Sequence, residues 1–138
     1  MTGFVVDAST AAKWVLPEPD ADRAVTLLGR RLVAPHLLLT ECANILWKSA
    51  RRDEVRPDEA AADLATLAAV AIEMLPSRTL LEAALRRAVT LGHPIHDCLY
   101  LEAAAVTGLP LVTADRRLAR LSGDGATVVL LSDLPLPA

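Results

Sequence analysis

The stretch that most constrains the fold of this chain is residues 4–17, FVVDASTAAKWVLP. A short apolar run, Phe4-Val5-Val6, ends at Asp7, and a further apolar segment typical of a helix follows. A buried strand that carries a carboxylate at its carboxyl end, just before a helix, is how an open α/β sheet usually presents a functional group. Asp is also one of the best residues for capping a helix, so this stretch alone supports a capping role for Asp7 equally well.

The length and composition of the chain indicate one ordered, helix-rich domain over residues 1–138, with 53% hydrophobic and 3% aromatic residues. The longest uncharged run, residues 103–114, contains Gly108 and Pro110 and is too short to cross a membrane. The N-terminus lacks the basic and apolar regions of a secretory signal. We therefore expect a cytoplasmic protein without a membrane anchor.

Apolar runs and helix-breaking residues predict an alternation of strands and helices along the whole chain. Strands are predicted at residues 4–7, 32–34, 72–75, 109–113 and 126–131. Helices are predicted at residues 9–16, 20–30, 36–52, 57–70, 79–91, 96–107 and 116–121, which is more than half of the chain. This alternation favours the α/β class, with a mainly parallel sheet covered by helices on both faces.

Three further carboxylates stand in places comparable to that of Asp7. Asp115 follows a predicted strand, and Glu41 and Asp97 lie in the first turns of predicted helices. Because the carboxyl ends of parallel strands and the starts of the following helices share one edge of a sheet, these four groups are able to converge. A set of carboxylates without clustered Cys or His suits Mg²⁺ or Mn²⁺, and metal-assisted phosphodiester hydrolysis uses such a set.

The charge balance excludes a general basic surface, because the formal net charge is −3. Without the four carboxylates, fourteen positive side chains stand against thirteen negative ones, and twelve of the fourteen are Arg. Arg suits bidentate contact with phosphate, and Arg116 and Arg117 stand as a pair directly after Asp115. The other interpretation is that they are two exposed helix arginines.

Four segments, in order, resemble the PIN domain and, more narrowly, the VapC-type toxins of bacterial toxin–antitoxin pairs. They are FVVDASTAAKWVLPE, LLLTECANILWKSARR, HPIHDCLYLEAA and LPLVTADRRLARL, which together span about residues 4–131. The resemblance implies a three-layer α/β/α sandwich with a short, mainly parallel sheet. It also implies an Mg²⁺- or Mn²⁺-dependent endoribonuclease that cuts RNA, binds a cognate antitoxin protein and forms a homodimer.

The resemblance also assigns roles to individual residues. The acidic site maps to Asp7, Glu41, Asp97 and Asp115. Asp7, Asp97 and Asp115 would hold the metal, while Glu41 either completes the ligand set or orients the attacking water. Supporting roles fall to Ser9, Thr113 and Asn44. His96 and Cys98 depart from the family pattern, and we expect this departure to affect the wall of the pocket.

Two other classes of protein compete with the nuclease. A receiver-like phospho-acceptor module also gathers carboxylates and Mg²⁺, but it needs a Lys after a late strand, and the only lysines here are Lys13 and Lys48. The second class is a nuclease-inactive PIN-like or Mg²⁺-binding regulatory module that acts through a protein partner, and the four intact carboxylates argue against it. We also expect Glu102 to face solvent and Cys42 and Cys98 to be reduced, buried thiols.

Overall fold

The computed structural model describes residues 3–136, and in this range all five strands pair in parallel within one sheet. The expected single domain over residues 1–138 also includes residues 1–2 and 137–138, which lie outside the described range. The strands are β1 (Gly3–Val6), β2 (Arg31–Pro35), β3 (Glu73–Leu75), β4 (Leu111–Thr113) and β5 (Val128–Leu130). The helices are α1 (Ala8–Ala11), α2 (Ala21–Val25), α3 (Leu37–Arg51), α4 (Pro57–Ala69), α5 (Ser77–Leu91), α6 (Ile95–Thr107) and α7 (Arg116–Ala119).

The strand order, β3-β2-β1-β4-β5, places β1 at the centre of the sheet. The chain moves outward from β1 through β2 to β3, and then crosses to β4 on the other side of β1. Since parallel crossovers are right-handed, connections that run in opposite directions lie on opposite faces of the sheet. The direction in which the chain adds strands thus reverses between β1 and β4. Ligands of open α/β sheets bind beyond the carboxyl ends of the strands at such a reversal.

Two long helices cover the sheet and complete its core. Helix α6 packs against β1, β2 and β4 and buries residues along most of its length, including Leu99, Tyr100 and Leu101. Helix α3 packs against β2 and α1 and buries Leu38 and Leu46 on one face. The α/β class and the parallel sheet predicted from the sequence are confirmed.

Two predicted helices are shorter than the sequence suggests. Helix α1 ends at Ala11 and the chain continues as a 3₁₀ turn, Ala12–Trp14. Helix α2 begins only after Asp20, whose left-handed backbone (φ 66°) lies outside the helix, and it ends at Val25. The hydroxyl of Thr26 donates to the carbonyl of Arg23 at 2.6 Å and competes with the helical backbone bonds there.

The prediction that Glu102 faces solvent is wrong. Its carboxylate accepts a hydrogen bond from Arg87 Nε at 2.8 Å, and the two side chains are only 14% and 16% exposed. Arg87 also donates to the carbonyl of Asp124 at 2.8 Å, so the pair ties α5 and α6 to the turn before β5.

The prediction for the thiols is confirmed, because Cys42 and Cys98 are free and buried.

Candidate active site

A cavity of about 630 Å³ opens at the carboxyl edge of the sheet, where the strand order reverses. Four carboxylates line it, from the starts of α1 and α7, the second turn of α3 and the first turn of α6. The complete lining is Asp7, Ala8, Ser9, Leu37, Thr40, Glu41, Asn44, Ile45, His96, Asp97, Tyr100 and Asp115. Within the described residues this lining contains no Lys or Arg, so the cavity concentrates negative charge.

Asp7 follows β1 and is only 5% exposed. Its Oδ1 accepts hydrogen bonds from Ser9 Oγ at 2.8 Å and from the Thr10 amide at 3.0 Å, and its Oδ2 accepts one from Thr113 Oγ1 at 2.5 Å. Burial raises the pKa of Asp7 to about 6, although the hydrogen bonds from Thr113, Ser9 and Thr10 lower it. Asp7 thus caps α1 and also lines the cavity, so its capping role does not exclude a functional one.

Thr113 and Ser9 join Asp7 to the segment that carries Asp115. The register pairs Val6 with Val112, which places Asp7 beside Thr113 at the ends of β1 and β4. Thr113 Oγ1 donates to Asp7 and accepts from the Asp115 amide at 3.0 Å. Ser9 Oγ donates to Asp7 and accepts from the Ala114 amide at 3.0 Å. The hydroxyls of Ser9 and Thr113 therefore fix the distance between Asp7 and the segment that carries Asp115.

Glu41 is held by the only tyrosine of the chain. Tyr100 Oη donates to Glu41 Oε1 at 2.6 Å, and Tyr100 is 1% exposed. Burial and the neighbouring Glu41 carboxylate raise the pKa of Tyr100 well above its ordinary value, so its hydroxyl stays protonated and remains a donor. This contact joins α3 to α6 across the cavity.

Asp97 lies in the first turn of α6, and its Oδ2 lies 2.6 Å from His93 Nε2. His93 stands four residues earlier, just before the helix, and its side chain is 10% exposed. The pairing with the carboxylate assigns the proton to Nε2 and orients Asp97. His96 lines the cavity, as its place beside Asp97 suggested for the pocket wall.

Asp115 caps α7, and its Oδ1 accepts from the Arg117 amide at 2.8 Å. Asn44 is exposed on α3 and lines the cavity one turn after Glu41. Arg116 and Arg117 are exposed and lie outside the cavity lining, so the structure does not bring them to the carboxylates. Arg116 instead borders a separate cavity beside β5.

The donor chemistry of the cavity fits a divalent cation. Among residues 3–136, Asp7, Glu41 and Asp115 form no ion pair with Lys, Arg or His, and Asp97 pairs only with His93. Four carboxylates without cationic partners repel one another, and a hard divalent cation removes that repulsion. Within the described residues, no three Asp, Glu, His or Cys side chains lie close enough together to share one ion, and Glu41 and Asp97 are each bonded to a protein partner.

The sequence analysis missed two hydrogen-bond partners of the carboxylates, Tyr100 and His93. Tyr100 follows Asp97 by three residues and so lies on the same face of α6, which was the one available signal. His93 precedes Asp97 by four residues, but its place beside Pro94 is equally typical of a turn. Neither spacing identifies the carboxylate that each residue contacts.

The chain belongs to the PIN domain family, because the sequence model of the PIN domain matches residues 4–124. A curated relative, Ribonuclease VapC3 from Pyrobaculum aerophilum, is 37% identical over 121 residues, covering 84% of this chain and 92% of that protein. The structure of PAE2754 from Pyrobaculum aerophilum superposes with a TM-score of 0.70 at 30% identity, over 93% of this chain and 84% of that one.

A member of the VapBC family of toxin–antitoxin systems, VapBC-5 from Mycobacterium tuberculosis, superposes with a TM-score of 0.57 at 25% identity. The match covers 94% of this chain and 98% of that one. Within residues 3–136, none of the helices has both the length and the apolar character needed to cross a bilayer.

Proposed function

We propose that this chain is a metal-dependent endoribonuclease of the VapC type and the toxin of a toxin–antitoxin pair. The observation that carries the proposal is that four carboxylates, from four separate elements of a PIN domain, line one cavity that has no Lys or Arg in its lining. The 37% identity with a protein named as a ribonuclease supports RNA as the substrate. A phosphodiester and a divalent cation bring charges that complement each other in such a cavity.

We assign the metal to Asp7, Asp97 and Asp115, and the catalytic set to these three together with Glu41. A bound divalent ion supplies a water of lowered pKa and stabilises charge on the leaving oxygen. The Tyr100 hydroxyl fixes one oxygen of Glu41, which leaves the other free to complete the ligand set or to orient the attacking water. His93, which lies just before α6, fixes one oxygen of Asp97 in the same way.

The hydroxyls of Ser9 and Thr113 act as positioning residues. Each donates to Asp7 and accepts from a backbone amide of the segment leading to Asp115, so each holds two acidic groups in one arrangement. Asn44 contributes an amide at the wall next to Glu41. Arg116 and Arg117, outside the cavity, contact the RNA backbone beyond the cut.

We propose Mg²⁺ or Mn²⁺ as the ion, because all of the proposed ligands are carboxylate oxygens. The antitoxin is proposed as the protein partner on the likeness to VapBC-5, a toxin–antitoxin family member. The RNA substrate argues for action in the cytoplasm. The homodimer expected from the family resemblance stays a prediction, and sedimentation equilibrium of the purified chain tests it.

The first experiment incubates the purified chain with total RNA and Mn²⁺ or Mg²⁺, and maps the cut ends. Controls are EDTA, Asp97→Asn, and Asp58→Asn, which removes an exposed carboxylate of α4 outside the cavity lining. We expect discrete cuts that EDTA and Asp97→Asn abolish and Asp58→Asn leaves unchanged. A folded sample that never cuts favours the nuclease-inactive regulatory module, and cutting that survives EDTA refutes the mechanism.

A further inference from the structure

A second cavity, of about 380 Å³, adjoins the carboxylate cavity. The two cavities share three lining residues, Ser9, Ile45 and Asp115, so they form one continuous depression at the surface. The second cavity lies between α3, the 3₁₀ turn after α1 and the segment before α7. A ligand that fills the first cavity and extends along the surface therefore enters the second.

The two cavities differ in the charge that their side chains carry. Lys13, Lys48 and Arg52 line the second cavity and balance its three carboxylates, whereas no Lys or Arg lines the first within the described residues. The carboxylates of the second cavity are Glu18, Glu54 and Asp115. Lys13 is bound to Glu18 at 3.4 Å, and Arg52 lies 3.9 Å from Glu54. Lys48 is exposed and has no ion pair among residues 3–136, so its ammonium group is available to an anion.

Helix α3 connects the two cavities through one of its faces. Glu41, Asn44 and Lys48 recur at i, i+3 and i+7, and each of them lines one of the cavities. At 1.5 Å per residue, Glu41 and Lys48 lie about 10 Å apart along the helix axis. The surface thus presents a cation site and, about two helical turns away, a free ammonium group.

We propose that Lys48, assisted by Lys13 and Arg52, binds an RNA phosphate that neighbours the phosphate at the carboxylates. The proposal rests on the proposed ribonuclease function and adds a substrate-binding subsite to it. RNA is a polyanion with regularly spaced charges, so four carboxylates repel every phosphate that no metal neutralises. A lysine binds phosphate as a point charge, and Lys48 compensates this repulsion at the first position beyond the metal.

The test measures the salt dependence of RNA binding with Ca²⁺ at one fixed concentration in place of Mg²⁺ or Mn²⁺, so that the carboxylates stay neutralised, and a gel verifies that the RNA is not cut. The probe is a fluorescein-labelled, single-stranded RNA of twenty nucleotides and mixed sequence, followed by anisotropy between 50 and 500 mM NaCl. The variants are Lys48→Gln, the charge-conserving Lys48→Arg and, as a matched control, Arg78→Gln, which removes an exposed charge at the start of α5.

One lost phosphate contact makes the slope of log K against log [salt] shallower by about 0.7 for single-stranded RNA. From that slope we expect Lys48→Gln to bind about fivefold more weakly at 0.1 M salt, measured against a 1 M reference state. Lys48→Arg and Arg78→Gln should keep the wild-type slope. Circular dichroism checks that each variant is folded, and since Lys48 is exposed its replacement leaves the core intact.

Equal slopes for Lys48→Gln and the wild type overturn the subsite. A Lys48→Gln variant that loses affinity for an antitoxin but not for RNA also overturns it, because the cavity then serves a protein. Metal-dependent cleavage of total RNA is measured in parallel. Wild-type cleavage with an unchanged Lys48→Gln slope refutes only the subsite, whereas RNA binding through Lys48 without any wild-type cleavage supports the subsite and refutes the nuclease.

Discussion

Replacing Tyr100 by Phe removes a single buried interaction and leaves the rest of α6 in place. The ring of Tyr100 is 1% exposed, so Phe fills the same space, and only the hydroxyl that donates to Glu41 at 2.6 Å is lost. Hydrogen bonds to charged groups contribute about 1.5 to 3 kcal/mol. Because Glu41 borders an open cavity and regains water, we take the lower end and expect Tyr100→Phe to cost about 1.5 kcal/mol.

Urea unfolding in EDTA measures this cost directly. The midpoint should fall while the m-value stays unchanged, since the native and unfolded surfaces are the same in both proteins. For 138 residues, an unfolding entropy of about 2.1 cal/mol/K per residue converts 1.5 kcal/mol into a decrease of about 5 °C in Tm. RNA cleavage, assayed well below that temperature, should fall further than the unfolded fraction explains, because Glu41 is no longer oriented.

A double-mutant cycle with Glu41→Gln decides whether the contact itself is responsible. We expect a coupling free energy of about 1 kcal/mol between Tyr100→Phe and Glu41→Gln. The matched control pairs Glu41→Gln with Thr66→Val, which removes an exposed hydroxyl bonded to the Ala62 carbonyl within helix α4, outside the cavity lining, and should be additive. A Tyr100–Glu41 coupling below about 0.3 kcal/mol refutes the reasoning.

Three further predictions concern charge and burial. The pKa of Asp7 is about 6 in the folded protein against an ordinary 3.8, so the folded state holds the proton more tightly than the unfolded state. The unfolding free energy of the metal-free protein therefore decreases as the pH is raised from 4 to 6. The decrease is at most roughly 3 kcal/mol and is absent in Asp7→Asn. Arg87→Gln leaves the nearly buried Glu102 unpaired and costs about 3 kcal/mol in urea unfolding. Burial raises the pKa of the Cys42 thiol to about 12, so a disulfide reagent at pH 8 should label Cys42 only after unfolding.

Each of these predictions has a matched comparison. Arg86→Gln removes a cation whose ion pair with Glu82 is exposed, and it should change stability by less than about 0.5 kcal/mol. Equal losses for the Arg86 and Arg87 variants contradict the assignment of the buried pair. An Asp7→Asn profile parallel to that of the wild type excludes Asp7 as the titrating group, and rapid labelling of native Cys42 contradicts its burial.

The acidic edge of the sheet was predictable because it depends on rules that act locally. Asp7 and Asp115 each follow a short apolar strand, and parallel strands bring their carboxyl ends to one edge. The helical periodicity of α3 likewise placed Glu41 and Asn44 on one face, and both line the cavity. The assignment of these residues to metal binding and catalysis stays a prediction until the cleavage assay is done.

The partners of these residues were not predictable, because they depend on tertiary packing. Tyr100 meets Glu41 across 59 positions of sequence, and no pattern in either helix encodes that pairing. The ion pair of Arg87 and Glu102 likewise depends on how α5 and α6 pack together. Helix α2 ends early for a local reason, the Thr26 hydroxyl, which apolar periodicity does not reveal.

The central place of β1 also determines when the cavity can form during synthesis. Asp7 is made near the start of the chain, but the hydroxyl that holds its Oδ2 belongs to Thr113, 106 residues later. A ribosome adds roughly 5 to 20 residues per second, so for several seconds the nascent chain carries Asp7 without the strand that orients it. The acidic cavity is completed only when β4 leaves the ribosome and inserts beside β1, so a partly synthesised chain carries Asp7 without Thr113 and Asp115.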